Sequence, residues 1–168
     1  MSLSYAEFVA SKRKRHGEFG IDPETIHASL FPFQAAIVRW ALKKGRACVF
    51  AGTGLGKTRM QCEIMRHIPG KRLLVAPLAV AEQTITEARD LSGMRVQRVH
   101  HGEDIRTDGV YIVNYDRLHH VEGIQFDAVG LDESSIIKSH DGAYRQYIQE
   151  RFSRTPYRFA FPTLQAIR

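Results

Sequence analysis

Ala51-Gly52-Thr53-Gly54-Leu55-Gly56-Lys57-Thr58 decides how the rest of the 168-residue sequence is read. It follows the apolar run Ala47-Cys48-Val49-Phe50 and precedes a stretch with helical period, so it is a glycine-rich turn between a strand and a helix. Such a loop can wrap backbone N–H groups around phosphate oxygens, because small residues let the anion approach and glycine opens otherwise closed φ angles. Lys57 then sets an ammonium against the β and γ phosphates of a nucleotide. Thr58 offers a hydroxyl to Mg²⁺, and the helix starting there turns its positive end to the anion. The general pattern begins with glycine; Ala51, also small, stands in that position here. The expected cradle is Gly52, Thr53, Gly54, Leu55, Gly56, Lys57 and Thr58.

Outward from this turn, short apolar runs alternate with amphipathic stretches. Strands are predicted at 47–50, 73–76, 96–99, 110–113, 126–131 and 157–161, with helices near 57–68, 79–91 and 143–152. Upstream, a helix over 33–44 carries Ile37, Trp40 and Ala41 on one period and closes at Gly45, with Trp40 expected to anchor it to the sheet. Strands without polar alternation, separated by helices, imply a mostly parallel sheet covered on both faces. Right-handed crossovers make that a doubly wound α/β domain. Residues 1–29 are an N-terminal extension, polar and helical to about Gly17 and irregular after it, and 30–168 form the domain.

Composition agrees with one soluble domain: 43% hydrophobic, 25% charged, no long apolar run and no export signal. The expected location is the cytoplasm, with no membrane partner. Cys48 and Cys62 are too few for a disulfide framework and are expected to be buried packing. The net charge of +6 favours a polyanion such as nucleic acid, although only Lys12-Arg13-Lys14-Arg15-His16 forms a dense basic run. The pairs His100-His101 and His119-His120 have no metal-site spacing, and neighbours on a strand point apart.

Nucleotide hydrolysis also needs a carboxylate for the metal and a group to orient water. Leu131-Asp132-Glu133-Ser134 supplies both at the end of an apolar strand, on the edge of the sheet where the glycine-rich turn also lies. Asp132 is expected to hold Mg²⁺ through water, sharing the ion with Thr58, and Glu133 to orient the attacking water. Lys57, Asp132 and Glu133 are the candidate catalytic residues.

With both motifs in place, the sequence resembles the first RecA-like domain of superfamily 2 helicases and translocases over roughly 30–160. Leu30-Phe31-Pro32-Phe33-Gln34 looks like the family's LxPYQ element, which implies that Gln34 reads the adenine edge and selects ATP, with a nearby aromatic stacking on the base. Ala76-Pro77-Leu78-Ala79-Val80-Ala81-Glu82-Gln83-Thr84 is similar to the element that meets nucleic-acid phosphates through a helix N-terminus and hydroxyl groups. Val113-Asn114-Tyr115-Asp116-Arg117-Leu118 and Asp132-Glu133-Ser134-Ser135-Ile136-Ile137-Lys138-Ser139 are closest to the SNF-type branch that includes phage and prophage helicases. The resemblance implies a P-loop NTPase with ATP and Mg²⁺ as cofactors, and double-stranded DNA as a partner gripped by its backbone.

One departure matters. Where the family has a Ser/Thr-Ala-Thr or Thr-Gly-Thr-Pro coupling element, Pro162-Thr163-Leu164-Gln165 stands instead, and Thr163 is assigned no role. The second RecA-like domain and its arginine are not in this sequence. A lone first domain is therefore expected to hydrolyse ATP poorly, since such an arginine contributes on the order of 10³–10⁵ in related phosphoryl transfers. Two other readings fit the same residues: a non-catalytic ATP- or DNA-binding module, and an inert truncated remnant of a phage helicase.

Overall fold

The computed structural model describes residues 19–134 and 142–163. The basic run at 12–16, the helix expected before Gly17, residues 135–139 and the pair Leu164 and Gln165 lie outside the described residues.

Six strands, β1 (Arg46–Cys48), β2 (Lys71–Ala76), β3 (Val96–Arg98), β4 (Gly109–Asn114), β5 (Ala128–Asp132) and β6 (Tyr157–Phe161), form one sheet. Their order is β1-β6-β5-β2-β4-β3, and every neighbouring pair is parallel. The helices are α1 (Pro32–Lys44), α2 (Lys57–His67), α3 (Leu78–Ser92) and α4 (Gly142–Arg151), with a 3-10 helix over Tyr115–Val121. This is the expected doubly wound α/β fold.

The apolar strands are apolar on both faces because both faces are covered. Leu74, Ile112, Phe159 and Phe161 join Val38, Met60 and Ile64 in the core beneath α1, α2 and α3. Leu73, Val75, Tyr111, Val113 and Val129 join Leu118, Ile148 and Phe152 in a second core beneath the 3-10 helix and α4. Adjacent residues of one strand thus feed opposite cores, as the period of two requires.

Two details set the entry to the P-loop. Gly45 ends α1 at φ 67°, and its N–H bonds Ala41 O and Leu42 O, so β1 begins at once. Residues 19–31 have neither helix nor strand and fold over α1: Gly20 and Ile21 donate N–H groups to Lys43 O and Leu42 O. A Cβ on Gly20 would stand 1.8 Å from Leu42 O, so this close approach requires glycine.

Two packing expectations are corrected. Trp40 is 47% exposed, because α1 turns Gln34, Val38, Ala41 and Leu42 inward. Trp40 lies two residues, about 200°, beyond Val38 and so faces outward. Cys48 is exposed, whereas Cys62 is buried as expected. β1 is the sheet's edge, and beside it the second face opens into an apolar groove lined by Ala47, Leu131, Ile148 and Ala160.

Candidate functional site

The parallel sheet delivers β1, β5 and β6 to the same edge, and the loops leaving them line one cleft of about 680 Å³. Gln34, Thr53, Gly54, Gly56, Lys57, Thr58, Asp132, Glu133 and Thr163 all contribute to its wall. Gly52 and Leu55 belong to the same turn, with Leu55 exposed. The two motifs, about 75 residues apart in sequence, therefore face one another.

The turn has its shape because Gly54 and Gly56 take φ 80° and 73°. A side chain at Gly54 would meet nothing within 4 Å, so conformation alone calls for glycine there. At Gly56 space matters too, since a Cβ would lie 2.3 Å from Gln34 Nε2. Gly56 is also the N-cap of α2, which has no capping side chain and no acidic residue in its first turn. The free N–H groups of that turn, the Lys57 ammonium and the Thr58 hydroxyl form a donor set that fits an anion with a bound cation.

Gln34 is 2% exposed and spans two elements: its Oε1 accepts from Phe31 N–H at 2.9 Å, and its Nε2 donates to Leu55 O at 3.0 Å. It thereby ties the start of α1 to the turn. Phe31, 60% exposed, stands at the cleft mouth and stacks with Phe33 at a centroid distance of 6.2 Å.

Asp132 ends β5 and is buried. Burial pushes its carboxyl above the usual range, while a hydrogen bond from Gln61 Nε2, the Glu133 N–H and the charge of Lys57 pull it back. The backbone O of Asp132 accepts from Tyr115 Oη at 2.6 Å, and Tyr115 O accepts from Tyr144 Oη at 2.9 Å. Burial likewise raises the Tyr115 phenol, which keeps it protonated as a donor. Asp132 is thus braced at its carboxylate from α2 and at its backbone from the second core.

Glu133 sits at φ 47°, in the left-handed region that non-glycine residues seldom occupy. Its Oε2 accepts from Thr163 Oγ1, and that same hydroxyl accepts from Lys57 Nζ at 2.7 Å. Thr163 reaches this position because Val49 and Ala51 continue the parallel pairing of β1 with β6, ending in a bridge between Ala51 and Thr163.

No protein-family model and no curated protein matches the sequence. Solved structures do. The SWI2/SNF2 ATPase core of Sulfolobus solfataricus, in complex with double-stranded DNA, superposes with a TM-score of 0.71 at 19% identity, covering 84% of this chain and 33% of that one. Two structures of the UvsW helicase of bacteriophage T4 give TM-scores of 0.65 and 0.67 at 16% identity over 96% of this chain. The fold is the RecA-like fold of helicase cores. The chain spans 33 to 61% of the length of these structures.

Within this RecA-like fold, the sequence reading missed two side chains in the site. Thr163 links Lys57 to Glu133, and Gln61 holds Asp132. It also placed one group in the wrong environment: Thr84 is buried, and its hydroxyl donates to Val80 O at 3.0 Å within α3, so it is not presented to a ligand. Among the described residues no group of three His, Cys, Asp or Glu is placed to hold a metal ion by itself, and no helix is long and apolar enough to cross a membrane.

Proposed function

We propose that this chain is the ATP-binding lobe of a superfamily 2 DNA helicase or translocase, with ATP and Mg²⁺ held in the cleft between α2 and the ends of β5 and β6. The observation that carries this reading is the approach of Lys57, Glu133 and Thr163, with Asp132 and Thr58 lining the same wall. Bound Mg²⁺ supplies charge neutralisation along the phosphates. The chain's own groups do the rest. Gly54 and Gly56 shape the loop so that its N–H groups and those of α2 receive the phosphates. Lys57 leaves Thr163 to pair with the terminal phosphate, Thr58 and Asp132 hold the ion, and Glu133 orients and deprotonates water. Phe31 offers its exposed ring to the adenine, whereas the buried amide of Gln34, taken up by Phe31 N–H and Leu55 O, fixes the loop beneath the base and does not read its edge.

DNA is the proposed partner, met along its backbone by the segments that follow β2 and β4. A second RecA-like lobe completes the machine. The only guanidinium lining the cleft among the described residues is Arg59, on α2 itself. The 168 residues assayed alone therefore turn over slowly and do not unwind DNA. The favoured site predicts calorimetric ATP binding that requires Mg²⁺ and is lost in Lys57→Ala, with weak phosphate release. Absence of nucleotide binding by the folded wild-type chain overturns the reading. Strong DNA-stimulated turnover by the isolated chain overturns the dependence on a second lobe.

A further inference from the structure

Four histidines gather at the far end of the sheet, away from the nucleotide cleft. His100 and His101 follow β3, and His119 and His120 lie in the 3-10 helix after β4. The ring of His120 stands 4.2 Å from that of His119 and 5.5 Å, edge-on, from that of His101. These pairs are therefore on turns, not on strands, and the rings of His101, His119 and His120 converge. The backbone fixes their spacing: a Cβ on Gly102 would lie 2.8 Å from His120 O, so only glycine lets the two turns pack this closely.

Positive side chains stand beside them. Arg98, His100 and Arg117 line a pocket of about 150 Å³ between the ends of β3 and β4. Carboxylates stand beside them too, and Asp104 is electrostatically coupled to both His100 and His101. Asp104 accepts the N–H groups of His100 and His101, Glu82 pairs with Arg98 at 2.8 Å, and Glu122 accepts from Tyr147 Oη. Asp116 acts on Tyr144 of α4, and Glu103 is exposed on the His101 turn. Among the described residues no ring nitrogen of the four has a hydrogen-bond partner, whereas His27 bonds Ser29 and His67 bonds Glu63. His120 is held below its ordinary value by partial desolvation first, then by His119, His101 and Arg117. Neutral rings can crowd in this way; protonated ones repel unless an anion lies among them.

We infer that the turns bearing His101, His119 and His120, with His100, Arg98 and Arg117, form a protonation-linked docking site for the DNA phosphate backbone. The inference rests on the DNA reading above and adds to it that binding takes up protons. Phosphodiesters stay ionised across the relevant range, so the histidines alone supply the pH dependence. Each proton taken up steepens affinity by at most about tenfold per pH unit.

The test is the affinity of the full 168-residue chain for a labelled 30-base-pair duplex between pH 7.5 and 5.5 at constant ionic strength. About 10–30-fold tighter binding is expected at the acid end. Calorimetry in two buffers of different ionisation enthalpy should show one to two protons absorbed. In His101→Gln/His120→Gln most of the gain in affinity between pH 7.5 and 5.5 disappears, whatever the affinity at pH 7.5. If that variant melts below the assay temperature, wild-type proton uptake and His119→Gln decide instead. Binding at no pH overturns both this site and the DNA reading. Binding that is flat with pH, or a pH slope retained in the variant, overturns this site alone. Equal competition by polyglutamate of matched charge overturns the assignment to phosphate.

Discussion

The two ends of the sheet edge differ in how their side chains are tied. At the proposed nucleotide cleft most functional groups are bonded to one another: Lys57 to Thr163, Thr163 to Glu133, Gln61 to Asp132, and Tyr115 to the backbone of Asp132. At the histidine end the imidazoles touch one another but bond nothing among the described residues, and they sit on short turns. Chemistry at one phosphorus atom needs atoms held to a fraction of an ångström, which mutual hydrogen bonding provides. Grip on a long, repeating polyanion needs only charge in roughly the right place. The contrast separates a site that is costly to rearrange from one that is easily tuned.

The largest effect is expected in Glu133→Gln. It keeps an acceptor for Thr163 and removes the base, so steady-state ATP turnover falls by roughly 10²–10⁴. Calorimetric ATP affinity and DNA affinity hold to within about threefold. A comparable loss of DNA binding would show that the two ends are one site.

A second test concerns what holds the cleft in place. Glu63 of α2 is almost fully buried, and it accepts from His27 N–H, from Arg66 and from His67. Burial pushes its carboxyl up, but the Arg66 hydrogen bond and those from His27 and His67 outweigh it and bring the value to about 2. A folded value below the unfolded one stabilises above pH 4.5, and the contribution is lost as pH falls from there towards 2. Urea melts across that window should lose about 3 kcal/mol in the wild type, and Glu63→Gln should flatten the profile. An unchanged profile in the variant would assign acid sensitivity to other carboxylates.

The smallest effect is expected at Thr163. Thr163→Val keeps the shape but leaves Lys57 and Glu133 without their shared partner, and turnover should drop about tenfold, equivalent to one hydrogen bond to charged groups. Thr163→Ser should restore it to within about twofold. If valine is as active as threonine, the mutual bonding at the cleft is ornamental and the contrast between the two ends weakens.

Much of this was legible in the sequence because it is carried by local pattern. A glycine-rich turn after an apolar strand and a carboxylate pair after another specify the edge of a parallel sheet at which both lie. What stayed hidden depends on register. Thr163 meets Lys57 across 106 residues, and only the pairing of β1 with β6 brings it there. Gln61 looks like a polar residue on an amphipathic helix until β5 supplies Asp132 beside it. Trp40 was misread because hydrophobicity chose the inward stripe of α1, whereas the buried amide of Gln34, with two fixed hydrogen bonds, helps set that stripe. The histidine turns escaped for the same reason: sequence adjacency does not show that Gly102 lets two separate turns touch.

The edge position of β1 has a mechanical consequence. Its hydrogen-bonded neighbour in the sheet is β6, and the pairing runs on to the bridge between Ala51 and Thr163. The loop is thus hung from a narrow leaf of two strands, attached to the remaining four along β5. A tug on the loop loads β6 before any other strand, through a pairing of three residues against five at the β5–β6 seam. The load path therefore runs through the loop and the residue facing it before it reaches the four strands that carry the histidine turns.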